Sequence, residues 1–207
     1  MPTSPAATIP APIDISEADI ISAMKEIEGY IDISPGDFRE IFLIAHKQAL
    51  QRISNSVRAQ DIMTSPVFCL RDDMDLLEAS TFLAERCFTG APVVDSQGNI
   101  TGVLSEKDFL SSMGLQQPVT FMHIIAHCLD NKGCMTMKLR NHCVAEIMTA
   151  PAITAHPETT LGAISTLFVE KKINRLPIVS PLLQPLGIVT RTDLINFFNR
   201  SSQGYQS

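Results

Sequence analysis

Two short stretches of the chain hold the residue types that ligand chemistry needs. Gly102-Val103-Leu104-Ser105 is followed by Asp108, and Gly187-Ile188-Val189-Thr190 by Asp193. Each sets a glycine, a hydroxyl and a carboxylate three residues apart, where an apolar run gives way to helical spacing. A strand running into a helix there presents unpaired N–H groups and the positive end of a dipole, a setting for phosphate with the Ser105 or Thr190 hydroxyl as an extra donor. An aspartate repels phosphate, but as an acceptor it suits a pair of neighbouring hydroxyls such as a ribose offers. Phosphate beside ribose means a nucleotide. The same residues also fit helix capping, in which Ser or Thr and the acid three positions on satisfy free backbone N–H groups. The glycines admit the close approach of either a ligand or another backbone.

The elements that must position these groups come in two copies. Residues 61 to 110 return at 146 to 195 with a constant offset of 85 and no insertion or deletion. Asp61-Ile62-Met63-Thr64 reappears as Glu146-Ile147-Met148-Thr149, and Ala91-Pro92-Val93-Val94 as Leu176-Pro177-Ile178-Val179. A fixed register across such different chemistries means one structural unit used twice. Within the unit, the apolar run Val67 to Leu70 reads as a strand, and Met74 to Cys87 as a helix with apolar residues at helical spacing. Ala91 to Val94 and Ile100 to Leu104 read as a hairpin around the Asp95 to Asn99 turn, and Ser105 opens the last helix. The order is β-α-β-β-α, repeated from Ile153 to Phe198.

With these residues each unit resembles a CBS domain, and the tandem resembles a CBS pair, or Bateman module. The resemblance implies an α/β (α+β) fold of two β-α-β-β-α repeats packed by their sheets, and an adenine-containing ligand whose ribose is held by the motif aspartate and whose phosphate is held by the Ser or Thr. Carried over by position, it places Thr64, Val67, Ala91, Ser105 and Asp108 in a first site. It places Ile153, Leu176, Thr190 and Asp193 in a second. Arg175 and Arg191 join the second site on their charge, because Gly90 and Glu106 stand at the matching positions of the first. Residues 61 to 110 carry nine acids against three bases, whereas 146 to 195 are balanced, so an anionic ligand meets less repulsion at the second site. The expected ligand is AMP, ADP or ATP acting as a regulator, not as a catalytic cofactor.

The remainder sets the context. A tail (1–13) and a helical extension (14–58) precede the first repeat (59–115). A joining segment (116–143) leads to the second repeat (144–200) and a short tail (201–207). Ser16-Glu17-Ala18-Asp19 has capping-box spacing and Ser34-Pro35-Gly36-Asp37 sets a cap and first-turn proline, predicting helices over 17–29 and 35–54. The amphipathic second helix either covers its own domain or forms a dimer. A third helix is expected over 118–128. There His123, His127 and Cys128, with Cys134, His142 and Cys143 beyond, are ligand types that zinc accepts, though at no recognised spacing, so a metal or redox sensor stands as an alternative, as does a ligand-free dimerisation module. A net charge of −6 argues against sequence-independent nucleic-acid binding. No apolar run is long enough to span a bilayer, the start lacks the pattern of a secretory signal, and the five cysteines are odd in number without a Cys-x-x-Cys pair. A cytoplasmic, homodimeric protein without membrane association, with a possible protein target, is expected. No nucleophile, zinc-hydrolase or phosphate-loop motif points to an enzyme.

Overall fold

The computed structural model of the chain describes residues 15–29, 32–113, 139 and 141–203. It divides into two units, 1–54 and 55–207. The first contains α1 (Glu17–Glu26) and most of α2 (Pro35–Ser56). Both start where their caps dictate: the Asp19 N–H donates to Ser16 Oγ at 3.2 Å, and the Asp37 N–H to Ser34 Oγ at 3.2 Å. No residue of α2 is buried, and Ile41 and Ile44 are more than half exposed. The expected helix over 118–128, with His123, His127, Cys128 and Cys134, lies outside the described residues.

The second unit holds both repeats. The first runs through α3 (Ala59–Ile62), β1 (Leu70–Arg71), α4 (Leu76–Glu85), β2 (Gly90–Val94), β3 (Ile100–Ser105) and α5 (Glu106–Ser112). The second runs through α6 (Val144–Ile147), α7 (Leu161–Glu170), β4 (Arg175–Val179), β5 (Pro185–Thr190) and α8 (Arg191–Gln203). Local chemistry repeats with the offset. The Glu78 N–H donates to Asp75 Oδ1 at 2.8 Å, opening α4, and the Ala163 N–H to Thr160 Oγ1 at 3.3 Å, opening α7. Both hairpins are antiparallel, with Gly90 opposite Ser105 and Arg175 opposite Thr190, and each carries a register shift at its fourth residue.

The expected first strand forms only in part. In the first repeat, Leu70 and Arg71 pair in parallel with Val93 and Val94, and the Asp72 N–H extends the ladder to the Val94 carbonyl at 3.0 Å. In the second, the strand expected from Ile153 is reduced to a single bridge between Ala155 and Ile178. Pro157 occupies the position of Asp72 and has no N–H to continue the pairing.

The repeats join by exchanging their lead-in segments. The Thr64 N–H donates to the Ile188 carbonyl at 2.9 Å and the Ile188 N–H returns to Thr64 at 3.1 Å, so the first repeat's lead-in lies along the second repeat's β5. Thr149 and Val103 make the reciprocal pair at 3.0 Å each way. The cores follow the same exchange. Leu70, Ala79, Leu83, Val93 and Leu104 pack with Val144, against which Ile147 and Met148 lie. Ile164, Phe168, Leu176, Ile178 and Val189 pack with Ala59, against which Ile62 and Met63 lie. Each repeat therefore closes the other's core and extends the other's sheet.

Candidate functional site

The two motifs sit where each hairpin runs into a helix, at Ser105 before α5 and Thr190 before α8, as their spacing predicts. Both aspartates reach back to their caps. Asp108 Oδ2 accepts from the Ser105 N–H at 2.7 Å and the Ser105 hydroxyl at 2.6 Å. Asp193 Oδ2 accepts from the Thr190 N–H at 2.7 Å and hydroxyl at 2.6 Å. The hydroxyl protons expected to face phosphate are thus held by the aspartates. The first-turn amides are also partly taken: the Arg191 N–H bonds the Asn174 carbonyl at 3.4 Å and the Asp193 N–H bonds Thr190 Oγ1 at 3.3 Å.

The second oxygen separates the two motifs. Asp108 Oδ1 accepts the Thr149 hydroxyl at 2.8 Å, a bond delivered by the exchanged lead-in of the other repeat. No equivalent forms at Asp193, whose Oδ1 accepts nothing among the described residues. A carboxylate with one oxygen anchored and the other open is ready to receive a hydroxyl without breaking an existing bond.

The motif glycines serve the exchange. A Cβ on Gly102 would lie 2.5 Å from Met148 Sδ and 3.0 Å from the Thr149 carbonyl, and one on Gly187 would lie 2.6 Å from Met63 Sδ and 3.0 Å from the Thr64 carbonyl. Of the two uses open to these glycines, approach of another backbone is the one seen. Both aspartates border one cleft of about 1080 Å³ between the repeats. Thr64, Val67, Ala91, Ser105, Ile153, Thr190, Arg175 and Arg191 also reach it, whereas Leu176 does not, being fully buried in the second core. Thr64 pairs with Ile188 of β5, the strand that leads into Thr190 and the Asp193 motif.

The two arginines are held differently. Arg191 Nε donates to the Ile173 carbonyl and its Nη2 to the Phe168 carbonyl, both at 3.3 Å, which ties the guanidinium to the end of α7 and not to the motif. Arg175 crosses to the first repeat, where its Nη2 bonds the Thr89 hydroxyl. Burial pulls its guanidinium below the ordinary value, partly countered by the carboxylates of Glu106 and Asp108. Arg175 therefore stands between the motifs. Lys171 and Lys172, just past the end of α7, also line the cleft. Its charged walls carry Lys107, Lys171, Lys172, Arg175 and Arg191 against Glu106, Asp108 and Asp193, a surplus of two positive charges in a chain of net charge −6.

A family model for the CBS domain matches residues 59–114 and 144–200, more than half of the chain. The chain belongs to the CBS domain family. An uncharacterised protein of Methanocaldococcus jannaschii is 29% identical over 153 residues, covering 66% of this chain and 88% of that protein. The chain spans only 23% to 50% of the length of three further curated relatives. Among solved structures, the CBS-pair protein CBSX2 of Arabidopsis thaliana in complex with AMP superimposes with a TM-score of 0.55 at 22% identity, covering 73% of this chain and 100% of that one. A CBS domain pair in complex with 5′-methylthioadenosine and S-adenosyl-L-methionine gives a TM-score of 0.52 at 22% identity, covering 70% and 98%. At that identity both likenesses establish the fold.

Of the His and Cys residues weighed as metal ligands only two are described: His142 pairs with Glu146, and Cys143 precedes α6 as its N-cap. Among the described residues no three His, Cys, Asp or Glu side chains gather as a metal site, and no helix is long and apolar enough to cross a membrane.

Proposed function

We propose that this CBS pair is a regulatory sensor of an adenine nucleotide, AMP, ADP or ATP, and that it passes the signal through a homodimer or to a protein target in the cytoplasm. The observation that carries the reading is the Oδ1 of Asp193, which accepts no hydrogen bond from the described residues, beside the N-terminus of α8 in a cleft whose walls are positive although the chain is acidic. An open carboxylate oxygen suits a ribose hydroxyl, and the cationic walls suit phosphate. The AMP held by one neighbour of the same fold supports this ligand class. S-adenosylmethionine, held by another, carries a sulfonium charge that a positive wall disfavours. The reading is regulatory because both motif carboxylates act as hydrogen-bond acceptors for helix caps, and because the module forms the lesser part of several longer relatives.

Calorimetric titration with AMP tests it. Asp193→Ala removes a charge-assisted hydrogen bond of about 2 kcal/mol, roughly thirtyfold in affinity. Asp108→Ala loses less affinity but more stability, since it also frees the Thr149 hydroxyl that ties the repeats together. If Asp193 serves only as a cap, its replacement costs about 1 kcal/mol of stability and leaves affinity unchanged. That outcome favours a ligand-free structural module.

A further inference from the structure

One helix of the second repeat, α7, is held at both ends by arginines from elsewhere in the chain. Around its counterpart α4 the matching positions carry Glu106 and Cys143. At the C-terminal end, Arg191 donates to the Phe168 and Ile173 carbonyls, both at 3.3 Å. Phe168 lies in the last turn of α7, where carbonyls lack a partner within the helix. The first repeat meets the same need locally: the matching carbonyl, on Leu83, takes the Phe88 N–H at 2.9 Å. Glu106, at the position of Arg191, offers an acceptor where a donor is needed.

At the N-terminal end, the residues that follow α2 close on the loop that opens α7. The Leu161 N–H donates to the Val57 carbonyl at 2.9 Å, the Ala59 N–H to Thr159 at 2.8 Å and the Gln60 N–H to Pro157 at 3.1 Å. Residues 142–145 repeat these backbone bonds at α4, where the Leu76 N–H donates to His142 at 3.2 Å and the Val144 N–H to Met74 at 2.9 Å. At α7 a side chain adds to them, because Arg58 Nη1 donates to the Glu158 carbonyl at 3.0 Å. Between these grips α7 is a stiff rod of 10 residues, about 15 Å long, seated by the buried Leu161, Ile164 and Phe168. Val57 directly follows Ser56, the last residue of α2.

We propose that α7 is a mechanical link between the second motif and the helical extension. Arg191, two residues before Asp193, fixes one end of the rod, and the other end fixes residues 57–60, the first step beyond α2. A displacement at Arg191 therefore reaches the end of α2, and one at Glu106 does not. The extension is the output element of the second motif alone, whichever ligand that motif takes.

The test is hydrogen exchange of the full chain, read at single amides. Arg191→Ala should speed exchange at Leu161, Ala59 and Gln60 and in the last turn of α2 roughly tenfold, the scale of a lost charge-assisted hydrogen bond. Leu76, Val144 and Ala145 should keep their rates. Arg191→Lys, which retains a cationic donor, should give a smaller rise, and Glu106→Ala should change neither set. From the other end, Arg58→Ala should speed the Lys171 amide, which bonds the Leu167 carbonyl in the last turn of α7, because coupling is reciprocal. In the double variant the rise should fall short of the product of the single effects. Faster exchange confined to α8 and the last turn of α7 would overturn the link and leave Arg191 a local cap. An equal rise in both repeats, the mark of lowered global stability, would overturn it too, as would effects that simply multiply in the double variant.

Discussion

Replacing Gly187 by alanine tests the exchange of lead-in segments on which the whole CBS pair depends. The new Cβ would lie 2.6 Å from Met63 Sδ, 2.9 Å from Met63 Cγ and 3.0 Å from the Thr64 carbonyl. The methionine can move, but the carbonyl is fixed by its bond from the Ile188 N–H at 3.1 Å. Overpacking of this kind costs about 1–3 kcal/mol, against which the reduced freedom of the unfolded chain returns about 0.4–1 kcal/mol. The net expectation is a loss of up to about 2.6 kcal/mol, read from urea unfolding as a lower midpoint with an unchanged slope. Met63→Ala alone should also destabilise, since Met63 packs against the second core. Combined with Gly187→Ala it should cost less than the sum by at least about 0.5 kcal/mol, because the contacts to Sδ and Cγ are gone and the new methyl fills part of the space. Gly102→Ala with Met148→Ala should behave in the same way at the other junction. Unchanged stability in Gly187→Ala, with strict additivity in the double variant, would show that the glycine is there to admit a ligand and that the exchange is not what it serves.

Two further expectations concern the thiols and the assembly. Burial pushes the Cys69 thiol up to about 11, so it should remain protonated and slow to alkylate at pH 8, while exposed Cys87 reacts first; mass mapping of iodoacetamide adducts reads the order. Because the folded-state value is raised, the protonated thiol favours the fold at lower pH, and that contribution fades as pH rises from about 9 through about 11. Sedimentation velocity at high micromolar concentration should show a dimer, since α2 leaves Ile41 and Ile44 more than half exposed; a single 22.7 kDa species would refute self-association.

What the sequence determined by itself was the local structure. The 85-residue offset announces two copies of one unit, Ser16 and Ser34 open their helices where the caps require, and Ser105 and Thr190 mark the turn from strand to helix. These features depend on groups three or four residues apart, so they are written in spacing. The charge imbalance between repeats is equally a property of composition. Tertiary structure decided which repeat each lead-in serves. Thr64 belongs with Ile188, and Thr149 with Val103 and Asp108, through contacts between residues far apart in the chain, whose path no local periodicity specifies. The same long-range geometry turned Arg191 toward the end of α7 and Arg175 across to Thr89, although both read alike as cations near one motif. It also distinguished two aspartates of identical spacing: a hydroxyl from the opposite repeat closes Asp108, and none reaches Asp193 among the described residues, so only the folded chain could tell a finished cap from an open acceptor.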